Sequence, residues 1–178
     1  MKKQAIVCGE SEIKKAVGDM ADEIINDFNV VGNLVIVGIH TRGVFLARRI
    51  QRRIQLRTGV DVPVGTLDIT LYRDDWTKLH GYPIVRSTHI PVPLDNRDVV
   101  LIDDVLFTGR TVRSALDALV DFGRPQLVHL AVLVDRGHRE LPICAQYTGF
   151  TIKTTRNQHV HVFLKEVDGV DQVVIAES

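Results

Sequence analysis

The chain has 178 residues, 45% of them hydrophobic and 25% charged, which suits one globular domain with a sizeable core over residues 1–178. Lys+Arg 22 balance Asp+Glu 22, so bulk charge recruits neither nucleic acid nor an acidic membrane, and any polyanion must be held by a local constellation. Cys8 and Cys144 lack metal-ligand spacing, and the longest uncharged run, residues 28–41, is too short and interrupted to span a bilayer. With no signal-type apolar core after Met1, a soluble cytoplasmic protein without a membrane partner is expected.

In chain order, Ile13, Ala16, Val17, Met20, Ile24 and Phe28 recur at three- and four-residue steps, predicting a helix over residues 11–28 with Ser11 as its N-cap. Residues 34–39 (LVIVGI) read as a strand buried on both faces, and a helix is expected from about 43 to 57. A second strand is predicted over residues 64–72. The polar stretch 73–89, with Gly81 and Pro83, has no usable period and is long for a plain loop, so it reads as a functional lid or a poor hairpin.

Residues 99–102 (VVLI) form the next buried strand, ending at Asp103 and Asp104. After Gly109 a helix carries Val112, Ala115, Leu116, Leu119 and Val120 on one side and stops at Gly123 and Pro125. Residues 127–134 (LVHLAVLV) are another two-sided strand, while 159–164 and 173–175 suit edge or antiparallel strands. Strand and helix in alternation predict an α/β fold with a mostly parallel central sheet flanked by helices.

In such sheets ligands bind beyond the carboxyl ends of the strands, which directs attention to three segments: 40–43, 103–111 and 135–137. Thr108, Gly109, Arg110 and Thr111 lie between a strand end and a helix start, where free N–H groups and the helix dipole favour a phosphate. The plain alternative is a helix cap and a turn. Asp103 and Asp104 repel unless a cationic or hydrogen-bonding ligand sits beside them, and a ribose with cis hydroxyls near a bound phosphate meets that demand. A solvated strand end is the bland counterpart.

The segment VVLIDDVLFTGRT resembles the phosphoribosyl-diphosphate (PRPP) signature of type I phosphoribosyltransferases. Residues 65–75, 103–113 and 131–142 are similar to the pyrimidine-operon attenuation regulators that are also uracil phosphoribosyltransferases. The resemblance implies that fold, with a flexible active-site loop at about 72–89 and a small hood from about 135–160 and the termini. It implies transfer of 5-phosphoribose from PRPP to uracil, giving UMP and diphosphate, with Mg2+ carried by PRPP and no metal site made by protein alone. The resemblance gives Asp103, Asp104 and Arg42 the catalytic roles. Asp103, Asp104, Val105, Leu106 and Phe107 lead into the 5-phosphate loop at Thr108, Gly109, Arg110 and Thr111.

By the same resemblance Thr41, Arg42 and Gly43 form the diphosphate loop, where Arg42 meets the leaving group; a surface ion pair for Arg42 stays open as an alternative. Arg73 is the loop residue expected at diphosphate, beside the alternative of a solvated arginine, and Arg136 and Val160 belong to the base pocket. Phe107 stands where purine enzymes carry an acid, and an apolar ring cannot act as general base, consistent with a pyrimidine.

The family's regulatory role, with UMP or UTP bound, is to grip pyr operon leader mRNA and promote termination. His138 and Arg139 match its RNA-facing pair, and Lys153, Thr154 and Arg156 are further RNA candidates. Against this, the first helix carries Gly18, Asp19, Asp22 and Asp27 where RNA-binding relatives carry Thr, Arg and His, and Cys144 and Phe150 replace basic residues. The alternative is therefore an enzyme or nucleotide sensor that has lost RNA binding. Arg48, Arg49, Arg52, Arg53 and Arg57 offer a replacement RNA surface, a solvated face or a subunit interface. The resemblance also implies a homo-oligomer, dimer or tetramer.

Overall fold

The computed structural model describes residues 4–28, 31–72 and 87–177. In chain order its strands and α-helices are β1 (Gln4–Cys8), α1 (Glu10–Asp27), β2 (Leu34–Ile39), α2 (Arg42–Thr58), β3 (Val64–Leu67), β4 (Asp98–Leu106), α3 (Arg110–Leu119), β5 (Leu127–Asp135), β6 (Tyr147–Thr151), β7 (Gln158–Phe163), α4 (Lys165–Asp168) and β8 (Gln172–Glu177). Five strands pair in parallel in the order β3-β2-β4-β5-β6. A smaller antiparallel sheet has the order β1-β8-β7.

Every residue of β2 is buried because alternate side chains enter two different cores. Leu34 and Ile36 join Ile13, Met20 and Ile24 of α1 and Leu46 and Ile50 of α2 on one face of the sheet. Val35, Val37 and Ile39 pack with Val112, Ala115 and Leu119 of α3 on the other. Helices thus cover both faces, as the unbroken apolar runs of β2, β4 and β5 require.

Three local expectations are corrected, and two strands stand where none was expected. The first helix is capped by Gly9 rather than Ser11: the Gly9 N–H donates to Glu12 Oε2 at 3.1 Å, which satisfies the cap from inside the first turn. The second strand ends at Leu67, not at 72, because Asp68 Oδ1 accepts the Thr70 N–H at 2.8 Å and also its hydroxyl, an Asx turn that ends the ladder and leads into a 3-10 turn at Thr70–Tyr72. The strand containing the acid pair runs on to Leu106, since its partner β5 continues beside it to the pair Leu106↔Asp135. β1 and β6 carry no clear sequence signal; β6 (YTGFT) has one fully buried side chain, Tyr147, and among the described residues pairs on one side, with β5. The antiparallel tail strands are where the alternation placed them.

Candidate active site

The parallel register aligns the carboxyl ends of three strands. Gly38 pairs with Thr66 on one side and with Ile102 on the other, so the residues that follow each, His40 to Gly43, Asp68 and Asp103, come to one place. They border a cavity of about 430 Å³ lined by His40, Thr41, Arg42, Asp68, Ile69, Thr70, Asp103, Asp104, Val105 and Thr111. Two of the three segments singled out for chemistry, 40–43 and 103–111, thereby meet, through His40, Thr41 and Arg42 and through Asp103, Asp104, Val105 and Thr111, whereas residues 135–137 are not among the lining. The His40-Thr41 peptide at the rim is cis. Asp68 is a site residue the strand pattern concealed: it is buried, and it stands at a strand end like the others.

The acid pair is asymmetric. Asp103 is buried, and its Oδ1 accepts the Asp104 N–H at 2.9 Å. Burial, and then the neighbouring Asp104 charge, hold the Asp103 carboxyl well above the usual carboxylate range. Asp104 Oδ1 accepts the Val105 N–H at 3.0 Å. The site therefore presents one acid that keeps its proton more readily than usual beside a second carboxyl on the same strand.

Gly109 caps α3 with φ +93, a left-handed conformation open to glycine, and lets the chain turn from strand into helix within three residues. The first-turn N–H groups of α3, from Arg110 onward, point out of the helix start where an anion binds well. The loop is braced from behind, since Thr108 O accepts N–H bonds from Glu140 at 2.9 Å and Leu141 at 3.2 Å. Arg110 Nε donates to Glu140 Oε2 at 2.9 Å, which draws its side chain toward residues 140–141.

Arg42 makes the surface-type pair that the sequence left open, yet it also lines the cavity. Its Nε and Nη2 donate to Asp168 of α4 at 3.2 and 2.9 Å. Gly43, the next residue, lies against β4: a Cβ there would stand 2.4 Å from Ile102 O. The residue expected at diphosphate from the lid, Arg73, lies outside the described residues, as does the rest of segment 73–86.

Beyond the end of β4 a second cluster forms. The buried Arg136 lays its guanidinium 4.0 Å from the Phe107 ring centroid, and Nη2 donates to Thr155 O at 3.0 Å. Its Nε is buried without a hydrogen-bond partner, and burial holds the guanidinium below its ordinary range. His138 meets the same ring edge-on at 6.2 Å. Val160 of β7 is half-buried against the core on the α1 and α2 side of the sheet.

The RNA candidates do not share one free face. Arg139 is turned inward: Nε donates to Ile143 O at 2.9 Å, Nη1 to Phe107 O at 2.9 Å, and Nη2 pairs with Asp135. His138 Nε2 lies 2.7 Å from Thr154 O, and Thr154 Oγ1 donates to Arg136 O at 3.1 Å. Lys153 and Arg156 are exposed, Arg156 Nη1 lying 3.9 Å from Glu140 Oε1. Among the arginines of α2, Arg49 is clamped by Glu166 and Asp171, and Arg53 and Arg57 lie 3.6 and 3.4 Å from Asp22 of α1. Arg48 stands over the Phe45 ring, and Arg52 borders the groove between α1 and α2.

Among the described residues no group of three or more His, Cys, Asp or Glu side chains could hold a metal ion. The hard carboxylate oxygens of Asp103 and Asp104 nevertheless suit a cation that brings its remaining oxygen ligands with a phosphorylated substrate, as Mg2+ does. Among the described residues no helix is long and apolar enough to cross a membrane.

Residues 9–166 match the family described as the phosphoribosyl transferase domain. The chain is 56% identical over 173 residues to the bifunctional protein PyrR of Syntrophobacter fumaroxidans, covering 97% of this chain and 93% of the relative. It is 51% identical over 177 residues to the bifunctional protein PyrR of Pelotomaculum thermopropionicum, covering 99% and 98%. Among solved structures, a hypoxanthine phosphoribosyltransferase from Staphylococcus aureus superposes with a TM-score of 0.71 over 98% of this chain and 92% of that one, at 19% identity, a likeness of fold. The strand ends, the helix-start loop and these relatives agree, and the chain belongs to the PyrR family of type I phosphoribosyltransferases.

Proposed function

We propose that the protein is a uracil phosphoribosyltransferase that converts uracil and PRPP to UMP and diphosphate, and a pyrimidine-responsive attenuator that binds pyr leader mRNA in the cytoplasm. The observation that carries the enzymatic reading is the convergence of the acid pair, the Thr41 to Gly43 loop and the start of α3 on one polar cavity. Asp103 and Asp104 take the ribose hydroxyls. The N–H groups at Arg110 and Thr111, with the threonine hydroxyls, take the 5-phosphate. Arg42 orients the diphosphate as it leaves and the anomeric carbon gains oxocarbenium character. When bound with PRPP, Mg2+ neutralises charge on the leaving group.

The base sits toward Arg136, where backbone groups after Val134 read the amide edge of uracil. Phe107 supplies an apolar wall beneath the guanidinium, and with no acid at that position a purine ring finds no proton partner. Val160 and Arg73 complete the pocket and the lid. A homo-oligomer, dimer or tetramer, belongs to the same reading.

A second reading, an enzyme or nucleotide sensor without RNA control, is favoured by the pairing of Asp22 with Arg53 and Arg57 and by the inward turn of Arg139. One preparation tests both. UMP synthesis from uracil, Mg2+ and PRPP is expected, with loss of turnover in the double variant Asp103→Asn, Asp104→Asn; absence of UMP at saturating substrates refutes the enzymatic reading. UMP-strengthened, salt-sensitive binding of the leader stem-loop is expected of an attenuator. Equal affinity for an unrelated hairpin, with and without UMP, establishes the second reading instead.

A further inference from the structure

Arg42 and Arg49 stand seven residues apart, two turns along the same stripe of α2, and both reach the acid-rich segment 164–171. Arg49 is clamped by two carboxylates: Nε and Nη2 donate to Glu166 at 2.9 and 2.5 Å, Nη1 and Nη2 to Asp171 at 2.9 and 2.8 Å. That arginine is spent on docking. Arg42 differs in two respects. Among the described residues it meets one carboxylate, through Nε and Nη2, which leaves Nη1 for a ligand; and it lines the cavity that Thr41, Asp103 and Asp104 share.

The carboxylate that holds Arg42 is itself fixed. Asp168 Oδ2 accepts the Leu164 N–H at 2.8 Å, and the Asp168 N–H donates to Leu164 O at 2.7 Å, so both the side chain and the backbone that carries it are tied to Leu164. Its side chain is 16% exposed against 31% for that of Arg42. The Arg42 hydrogen bonds hold the Asp168 carboxyl below the usual carboxylate range, so it is charged at neutral pH. A guanidinium gripped by its Nε edge loses most of its rotamer freedom before any anion arrives, which lowers the ordering cost of binding.

We propose that Asp168 is a positioning residue for diphosphate: it holds the Arg42 fork with Nη1 turned to the leaving group, from a segment 126 residues further along the chain. The proposal rests on the reading that Arg42 meets diphosphate. It assigns the two acids of segment 164–171 different work, Asp171 to docking through Arg49 and Asp168 to the site through Arg42.

The test compares wild type with Asp168→Asn, Asp168→Glu and Asp171→Asn. Calorimetry of Mg2+–diphosphate binding needs no uracil turnover, so it reads this proposal even if UMP synthesis fails. Thermal melts report folding, and steady-state UMP synthesis reports KM for each substrate. In Asp168→Asn, diphosphate affinity is expected to weaken and the PRPP KM to rise by about tenfold, the scale of losing a charge-assisted contact that orients the ligand group, with the uracil KM unmoved. Asp168→Glu restores part of the loss. Asp171→Asn lowers the melting temperature yet leaves diphosphate affinity within about twofold, because Arg42 keeps its partner. Unchanged or tighter diphosphate binding in Asp168→Asn, an equal loss in Asp171→Asn, or no binding by wild type overturns the proposal.

Discussion

Gly43→Ala sets helix propensity against packing at the site. Gly43 is buried in the first turn of α2, and replacing glycine by alanine within a helix ordinarily gains about 1 kcal/mol. Here the added Cβ would stand 2.4 Å from Ile102 O and 3.3 Å from Asp103 Cα, the first about 1 Å short of the 3.4 Å at which ordinary contact begins. Those atoms are backbone of β4, which is paired on both sides by β2 and β5 and cannot rotate aside. Forcing an extra methyl into such a place costs about 1–3 kcal/mol, so the net expectation is a loss of stability despite the better helix former. Relief comes by moving the start of α2 away from β4, which separates Thr41 and Arg42 from Asp103. A displacement on that scale costs up to about 100-fold in turnover. Urea denaturation and UMP synthesis measure the two effects on one sample. Gly32→Ala, in a 3-10 turn where a Cβ meets nothing within 4 Å, is the control and should neither destabilise the protein nor slow UMP synthesis. Equal or greater stability of Gly43→Ala with an unchanged PRPP KM would refute the reasoning.

Two further outcomes follow from buried polar groups. Asp103 titrates above its unfolded value of 3.8, so as pH rises past that value the unfolded chain releases a proton that the native state keeps. Stability of the unliganded protein therefore falls with rising pH until the folded carboxyl also ionises, and Asp103→Asn removes that part of the slope; parallel pH profiles of urea midpoints for the two proteins would contradict it. The hydroxyl of Tyr147, whose side chain is only 1% exposed, donates to Asp27 Oδ2 at 3.0 Å and lies 3.0 Å from His129 Nδ1, at the ends of β5 and β6 remote from the cavity. Tyr147→Phe should lower stability by about 1–2 kcal/mol in thermal melts while UMP synthesis is unchanged.

Much of this protein is written locally. The continuous apolar runs at β2, β4 and β5 specify strands with two buried faces, and such strands need helices on both sides, so α/β architecture follows from residues read a few at a time. The strand end at the acid pair and the turn at Gly109 into α3 are legible for the same reason: a strand end and a helix start depend on neighbours in the chain.

What the residues could not disclose is who meets whom over long separations. Asp68 looked like a strand residue, and only the Asx turn at Thr70 and the register with β2 bring it to the cavity. Arg139, an RNA contact by resemblance, is drawn inward by carbonyls of Phe107 and Ile143 that only the packed chain presents to it. Composition and periodicity determined the sheet, its covering helices and the glycine turn into α3, because those obey rules that act within one turn or one strand. The tertiary structure decided the charge partners: a net charge of zero says nothing about pairing, whereas the fold sets Asp168 against Arg42, and Glu166 and Asp171 against Arg49. Ion pairs form between whichever groups the packing of the apolar core brings within reach, and that packing joins segments more than a hundred residues apart.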